Sequence, residues 1–149
     1  MTEKLHIVCL DAPSPPDYGG AIDMYYKIIA LAETGRRFVL HYFDYKKERN
    51  ATGLEKYCSE IHSYERKGFS SSFFANKPFI VGSRINKELL KRLNQDSSPI
   101  LLEGLHCTGL LPHLEVSRKI VCRLHNDEAV YYMQLARSES NPFKKLYFQ

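Results

Sequence analysis

Apolar and polar positions follow one another along this chain in blocks that predict strands and helices in turn. Residues 5–10 form a continuous apolar run that ends at a turn, which is typical of a strand covered on both faces. Ile22, Tyr25, Tyr26 and Ile29 then have the i, i+3, i+4, i+7 spacing of a helix with one apolar side. A strand that leads directly into such a helix is the expected beginning of a parallel α/β unit.

The alternation continues to the end of the chain. Further strands are predicted at residues 38–43, 60–64, 100–102 and 120–124, and helices at residues 52–57, 83–95 and 127–137, with a short crossover at residues 106–114. Ser83 is the predicted N-cap of its helix. The pattern predicts an α/β fold: a Rossmann-like, mainly parallel sheet flanked by helices, with the strand at residues 5–10 in its centre.

Composition narrows the classes of protein. A chain of 149 residues with 44% hydrophobic content can bury one core, so residues 1–149 are expected to form a single domain. The formal charge of +4 suits anionic ligands or a membrane surface, and it does not call for a nucleic acid partner. The first apolar run is too short and too polar for a signal peptide or a membrane span, so a cytoplasmic location is expected. The final residues carry no helix-ending signal, which suggests a fragment of a longer protein.

Cysteine usage gives no sign of a metal site or of disulfides. Cys9, Cys58, Cys107 and Cys122 are scattered, and three of them lie in apolar surroundings where thiols usually pack as small core residues. Cys58 and His62 supply only two ligand groups, and paired C-x-x-C spacing is absent. We therefore expect reduced cysteines, no metal and no cofactor.

The loop DAPSPPDYGGAID, residues 11–23, is the first candidate binding element. Its prolines stiffen the exit from the first strand, while Gly19 and Gly20 leave room for a ligand beside the main chain. The free N–H groups at the start of the following helix suit an anion such as a diphosphate. The alternative is that these glycines and prolines only form a tight connection.

Polar residues also follow two later strands. Glu103 and His106 come after the strand at residue 100, and Arg123, His125, Asn126 and Glu128 come after or just within the end of the strand at residue 120. In an open parallel sheet, ligands bind at the carboxyl ends of the strands, so these groups are expected to share one edge with the glycine loop. The alternative for both histidines is a solvated loop position.

Other chemistries are less well supported. Glu103 and Glu128 would be the acid and base of a hydrolase if they faced each other, but Glu128 fits better as a capping acid in the first turn of a helix. The chain has no G-x-S-x-G element for a serine nucleophile. It also lacks G-x-G-x-x-G after the first strand, which argues against a nicotinamide cofactor.

Two segments carry a resemblance to a known family. PSPPDYGGAID, residues 13–23, and RLHNDEAVYY, residues 123–132, resemble the N-terminal half of GT-B glycosyltransferases of the retaining family 4 type, and NPFKKLYF at residues 141–148 is similar to bacterial polysaccharide-type members. The resemblance implies that Gly19 and Gly20 bring their amides to the phosphates of a nucleotide-sugar donor and that His125 contacts the transferred sugar. The remaining candidates for contact with the acceptor or the sugar are Tyr18, Glu103, His106, Arg123, Asn126 and Glu128.

The resemblance also implies a division of labour between two domains. The family's C-terminal domain, which grips the nucleotide and carries the E-x-x-x-x-x-x-x-E motif, does not occur in these residues. This chain would then be the acceptor-side domain, with little activity alone and with its own C-terminal domain as a partner. The acceptor would be a saccharide or a lipid-linked saccharide.

A phenylalanine-rich stretch at residues 67–80 allows a peripheral membrane contact. Phe69, Phe73, Phe74 and Phe79 alternate with lysines and serines, as in surfaces that rest on the inner face of a membrane. The alternative is that these rings fold back into the core. Two other functions also remain open: a stand-alone α/β module that binds a phosphate ligand, and the carboxylate hydrolase.

Overall fold

A parallel sheet of five strands forms the centre of the protein. The structure, a computed structural model, describes residues 4–44, 48–68, 77–142 and 145. The strands are β1 (Lys4–Cys9), β2 (Arg37–Asp44), β3 (Glu60–Glu65), β4 (Ile100–Glu103) and β5 (Ile120–Arg123). All neighbours are parallel and lie in the order β3-β2-β1-β4-β5. The predicted Rossmann-like α/β architecture is confirmed, with β1 in the middle.

Helical segments connect the strands and cover the sheet. They are α1 (Gly19–Ala32), α2 (Phe79–Gly82), α3 (Lys87–Leu93), a 3-10 helix (Leu105–His113) and α4 (Glu128–Ser138). Because the strands are parallel, all their carboxyl ends lie at one edge, which we call the carboxyl edge. No helix in the described part of the chain combines the length and the apolar character that crossing a bilayer requires.

The two faces of the sheet carry separate hydrophobic cores because successive residues of a strand point to opposite sides. Ile7 is buried in one cluster with Met24 and Ile28 of α1. Val8 is buried in the other cluster with Leu89 of α3 and Leu110 of the 3-10 helix. Full burial of such a side chain stabilises the fold by about 2 kcal/mol. We call the two sides the α1 face and the α3 face.

The helix predicted at residues 83–95 begins later than its sequence suggested. α3 starts at Lys87, and its N-cap is Asn86, whose side chain accepts hydrogen bonds from the amides of Glu88 and Leu89. Ser83 instead ends the short α2, and its buried hydroxyl accepts a hydrogen bond from Arg66 Nε at 3.0 Å. Both residues are good caps, and the tertiary contact of Ser83 with Arg66 decides between them.

The helix predicted at residues 52–57 is wrong. The amide of Leu54 donates to Ala51 O and that of Tyr57 donates to Leu54 O, so the segment is a series of turns. Gly53 has a φ of +88°, a left-handed conformation that a continuing right-handed helix does not contain. The amide of Thr52 donates to the Asn50 side chain, which competes with helical bonding.

The last strand is more exposed than its apolar sequence suggested. β5 lies at the border of the sheet, and Val121 is 56% exposed. Cys122 is also exposed, so the expectation that it packs in the core is wrong, whereas Cys9 and Cys107 are buried. All four cysteines are free thiols, and burial raises the pKa of Cys58 to about 11. Among the described residues β5 has a neighbouring strand on one side only, and this edge position explains the difference.

Part of the phenylalanine-rich stretch lies outside the described residues. This applies to Phe69, Phe73 and Phe74, and to most of the segment 141–148. Phe79 is half-buried, and the guanidinium of Arg66 lies over its ring, 4.9 Å from the centroid. The membrane contact stays a prediction.

Candidate functional site

The loop between β1 and α1 is held in place by Arg49. Its guanidinium donates to Ala12 O at 3.2 Å and to Pro15 O at 2.6 Å, and it lies over the ring of Tyr18 at 4.8 Å. It also forms an ion pair with Asp17 at 2.6 Å. Arg49 was not singled out from the sequence because nothing in its local pattern marks it. The contacts fix the shape of the loop that leads to the glycines.

The start of α1 presents unsatisfied backbone donors. Its N-cap is Tyr18, whose side chain makes no capping hydrogen bond, and its first turn contains no acid. In α3 and α4, by contrast, Asn86 and Asp127 cap the first turn. A Cβ added to Gly19 would meet nothing within 4 Å. An anion therefore has both open space and free amides at this helix end.

Tyr18 borders the same helix end. Its hydroxyl donates to Asp11 Oδ2 at 3.3 Å, and its side chain is partly exposed. Burial, followed by the charge of Asp11, raises the pKa of Tyr18 to about 12. The phenol is thus a neutral hydrogen-bonding group at physiological pH. A Cβ on Gly20 would lie 3.0 Å from Cε2 of this ring, so the ring covers Gly20 more closely than Gly19.

A charged cluster lies beside α1 at the carboxyl edge. We call it the edge cluster; it consists of Asp23, Lys27, Glu103, Arg123 and His125. The carboxylate of Glu103 is 1% exposed, and both its oxygens accept hydrogen bonds of 2.9 Å from Lys27 Nζ. Lys27 also donates to Asp23 at 2.8 Å, one turn earlier on α1. A buried carboxylate of this kind needs such a partner, because an unpaired charge is costly to bury.

His125 lies between the two carboxylates of the edge cluster. Its Nε2 is 3.1 Å from Glu103 Oε2, and its Nδ1 is 3.4 Å from Asp23 Oδ2. The contact to Glu103 lacks hydrogen-bond alignment, so Nε2 is a buried atom without a partner. Arg123 Nε lies 3.5 Å from Asp23 Oδ2. The hydrogen bond from Lys27 is the main reason that the pKa of Asp23 is lowered.

The edge cluster also contains a donor set of the kind that binds cations. Ligand atoms of Asp23, Glu103 and His125 all lie within 4.8 Å of one another. Two carboxylates and an imidazole could hold a divalent metal. The Lys27 ammonium, however, already bonds to both carboxylates and supplies the compensating charge. The absence of a metal stays a prediction.

In the described residues, buried side-chain nitrogen and oxygen atoms that lack a hydrogen-bond partner lie at the carboxyl edge. Among the described residues they are Asp44 Oδ1, His106 Nδ1 and His125 Nε2. Asp44 is the last residue of β2, and the two histidines follow β4 and β5. Burial, then the charges of Arg84 and Arg66, lower the pKa of His106 to about 4. Unpaired buried polar groups in native proteins call for an explanation, and a ligand site is one of the few available.

The structure brings some of the predicted residues together and separates others. Glu103, Arg123 and His125 meet in the edge cluster, next to the helix that begins with Gly19 and Gly20. His106 lies on the 3-10 helix, whose neighbouring Cys107 packs in the core of the α3 face.

Asn126 and Glu128 take less central positions. Asn126 is exposed, and Glu128 lies in the first turn of α4, where burial raises its pKa. Glu128 lies in the first turn as predicted, but it is not the residue that caps the helix. The N-cap is Asp127, whose Oδ1 accepts a hydrogen bond from the Val130 amide at 3.1 Å. Glu103 is bonded to Lys27 rather than free to act as an acid, which leaves the hydrolase without support.

Sequence reasoning also missed Asp23 and Lys27. Their spacing of four residues is visible in the sequence as a helical ion pair. Only the register of the sheet, in which Cys9 lies opposite Glu103, shows that this pair faces a buried acid 76 residues further along.

Comparison with known proteins gives one informative match. No protein-family model matches the chain, and no solved structure matches it either. The chain is 30% identical over 153 aligned positions to a protein of Klebsiella pneumoniae described as an uncharacterized 44.6 kDa protein in cps region. The alignment covers 97% of this chain, which spans 39% of the length of that relative. The two are distant homologues.

Proposed function

We propose that this chain is the N-terminal, acceptor-side domain of a glycosyltransferase that moves a sugar from a nucleotide-sugar donor to a saccharide or lipid-linked acceptor. One structural observation carries the proposal: the buried polar atoms without partners, among the described residues, all lie at the carboxyl edge. In parallel sheets this edge is where ligands bind. The cps-region homologue, from a capsule synthesis locus, supports a role in bacterial polysaccharide biosynthesis.

Each part of the edge has a role in this proposal. The uncapped first turn of α1, with Gly19 and Gly20, holds the donor diphosphate through backbone amides and the helix dipole. His125 contacts the transferred sugar. The remaining contacts with sugar or acceptor fall to Tyr18, Glu103, His106, Arg123, Asn126 and Glu128. A second domain of the same polypeptide grips the nucleotide, and the greater length of the homologue is consistent with this.

The edge cluster fits the position given to His125. Asp23 and Glu103 lie against its two ring nitrogens, so the imidazole is held from both sides. Lys27 and Arg123 together balance these two carboxylates, which keeps a negative field from repelling the donor phosphates. Glu103 and Lys27 are therefore positioning residues, and His125 is the group that meets the sugar.

The donor-phosphate role is tested by Gly19→Ala in the full-length enzyme. The added methyl group meets no protein atom within 4 Å, so the fold should be unaffected while the space next to the amides is filled. We expect turnover to fall by about tenfold or more, equivalent to about 1.4 kcal/mol of transition-state stabilisation. Ala30→Val, on the exposed last turns of the same helix, is the control. Gly20→Val should act in the same direction, but it also displaces the Tyr18 ring.

The sugar-contact role is tested by His125→Ala, with His113→Ala as the control. His113 is exposed at the end of the 3-10 helix, away from the edge cluster. We expect at least about a tenfold loss of turnover for His125→Ala and no comparable loss for the control. Full activity in folded Gly19→Ala and His125→Ala enzymes would rule out this site. Tight nucleotide-sugar binding by the 149-residue chain alone would favour the stand-alone phosphate-binding module.

A further inference from the structure

Basic side chains gather at the carboxyl edge beside the α3 face, next to the edge cluster, whose His125 also acts electrostatically on His106. Arg66 directly follows β3, Arg84 follows α2, and His106 lies on the 3-10 helix after β4. Arg66 Nε donates to the hydroxyl of Ser83, the residue before Arg84, and the Leu10 side chain and His106 Nδ1 both lie close to Gly104. The charges of Arg66 and Arg84 accordingly act on His106. None of them belongs to the glycine loop or to the contacts of His125 with Glu103 and Asp23.

Arg84 is a buried cation that forms no ion pair with a carboxylate of the described residues. It is 5% exposed, and its guanidinium donates to Leu10 O at 2.8 Å and to Ile80 O at 2.7 Å. Within the described ranges, no carboxylate lies at ion-pair distance from it. Burial lowers the pKa of Arg84, the nearby charge of Arg66 lowers it further, and Asp11 offsets this only in part. Burying a charge is costly unless an opposite charge compensates it.

A second buried arginine among the described residues shows what a compensated guanidinium looks like. Arg118, at the opposite edge, also donates to backbone carbonyl groups, but Asp96 lies 3.3 Å from its Nη2. Arg118 therefore has the counter-charge that Arg84 lacks. The protein has a place for a negative charge at Arg84 that its described side chains do not fill.

His106 supplies a second unsatisfied group at the same place. Its Nδ1 is buried and has no hydrogen-bond partner. The chain bends sharply just before it: Gly104 has a φ of +103°, and a Cβ there would clash with Leu10 and lie 3.5 Å from His106 Nδ1. Leu10 thus links the two groups, since its carbonyl binds Arg84 and its side chain packs next to His106. Guanidinium and imidazole groups are side chains that commonly bind phosphate.

We propose that Arg66, Arg84 and His106 form an oxyanion subsite that binds a phosphate group of the acceptor. Binding of the oxyanion follows from the three side chains alone, whereas its assignment to the acceptor rests on the proposed function. The subsite is separate from the glycine loop, which lies at the N-terminus of α1. Donor phosphates and acceptor phosphate would then occupy two sides of the same sheet edge.

The test follows the imidazole resonances of His106 by NMR while inorganic pyrophosphate is added to the 149-residue chain at low ionic strength. A bound pyrophosphate should raise the pKa of His106 from its value of about 4 by about one unit or more, because a neighbouring negative charge favours the protonated ring. The exposed His113 is the internal reference, and its resonances should not move. A response of His106 no larger than that of His113 would overturn the proposal.

Matched variants locate the binding. His106→Gln and Arg84→Gln should each weaken pyrophosphate binding by about fivefold or more, and His113→Gln and Lys119→Gln should leave it within about twofold. Amide resonances of Gly104 and Cys107 report binding in all of them. If Arg84→Gln fails to fold, the comparison of His106→Gln with His113→Gln decides. Equal affinity in the variants and the controls would refute the subsite.

Two further arms identify the source of the phosphate and separate this proposal from the previous one. Co-sedimentation with phosphatidylcholine vesicles containing phosphatidic acid, lost in His106→Gln, assigns the phosphate to a lipid. A pyrophosphate response without vesicle binding assigns it to a soluble saccharide acceptor. Both uphold the subsite. The shift of the His106 pKa with pyrophosphate should persist in Gly19→Ala. If that shift is lost in Gly19→Ala and survives in Arg84→Gln, the anion binds at the glycine loop and the subsite is overturned.

Discussion

The two edges of the sheet carry polar side chains that are organised in opposite ways. At the amino edge, where the parallel strands begin, the carboxylate of Asp96 accepts a hydrogen bond from Lys4 at 2.7 Å and lies 3.2 Å from His6 Nε2. From there the contacts cross the sheet to β2 and β3: His6 Nδ1 is 2.9 Å from His41 Nε2, and His41 Nδ1 is 2.9 Å from the hydroxyl of Tyr64, near the carboxyl end of β3. Every ring nitrogen in this chain of contacts has a partner. We call these four groups with Lys4 and Arg118 the amino-edge network.

The protonation of the network follows from its contacts. An ionised Asp96 can only accept, so His6 donates from Nε2 and, when neutral, accepts at Nδ1 from His41. His41 then accepts at Nδ1 from the Tyr64 hydroxyl. Burial lowers the pKa of His41 to about 2, and it also lowers that of His6. Two neutral histidines therefore complete the chain without a buried charge.

The carboxyl edge is not closed in this way. His106 Nδ1 and His125 Nε2 are buried without partners, and no carboxylate of the described residues forms an ion pair with Arg84. A fully satisfied network stabilises and rigidifies, whereas unsatisfied groups cost stability and persist where a ligand completes them. The comparison fits the proposal that the amino-edge network serves the fold and that the carboxyl edge binds a ligand.

The largest expected effect on stability comes from removing the acid of the amino-edge network. Asp96→Ala leaves the buried guanidinium of Arg118 without its carboxylate and frees Lys4. We expect the free energy of unfolding to fall by about 3 kcal/mol, measured by urea denaturation with circular dichroism. The control is Glu88→Ala, which breaks an exposed pair with Arg92 and should cost about 0.5 kcal/mol. Equal losses in the two variants would contradict the assignment.

A smaller effect comes from replacing one histidine of the amino-edge network and one histidine of the carboxyl edge by leucine. His41→Leu leaves His6 Nδ1 and the Tyr64 hydroxyl without their hydrogen-bond partner, so it should lower the free energy of unfolding by about 2 kcal/mol. His106→Leu removes an atom that has no partner, so its change should stay within about 1 kcal/mol and favour the folded state. The same urea titration measures both. A larger loss for His106→Leu than for His41→Leu would reverse the comparison of the edges.

The smallest expected effect, taken over one pH unit, is on the pH dependence of stability. The ordinary pKa of a histidine is 6.5, and that of His41 is about 2 in the folded protein, so the unfolded chain takes up a proton first as the pH falls. The stability is complete above pH 6.5 and is lost progressively below it, by up to about 1.4 kcal/mol per pH unit for one such group.

His41→Leu should therefore flatten this acid slope. Urea titrations between about pH 6 and pH 4 measure it in the variant and the unchanged protein. His6 contributes in the same direction, because its pKa is also lowered, so some slope should remain. An identical slope in the two proteins would show that His41 is not held neutral by the fold.

Some of the site could be predicted from the sequence because it depends on local order. The glycine loop follows β1 directly, and Glu103, Arg123 and His125 each end or follow a strand, so parallel topology alone places them at one edge. The position of Lys27 could not be predicted in this way. Its contact with Glu103 depends on the register between β1 and β4, which no local pattern encodes.

The sequence by itself determined the order of strands and helices, the parallel sheet and the glycine loop, since hydrophobic periodicity and turn residues act over a few neighbouring positions. Tertiary structure alone decided which cap begins α3, because Ser83 bonds to Arg66 and leaves the role to Asn86. It also decided that Asp96 pairs with Arg118 at the amino edge, while no acid in the described part of the chain pairs with Arg84. Such pairings join residues far apart in the chain. The free energy of burying a charge or a polar atom depends on whether tertiary packing places a partner beside it.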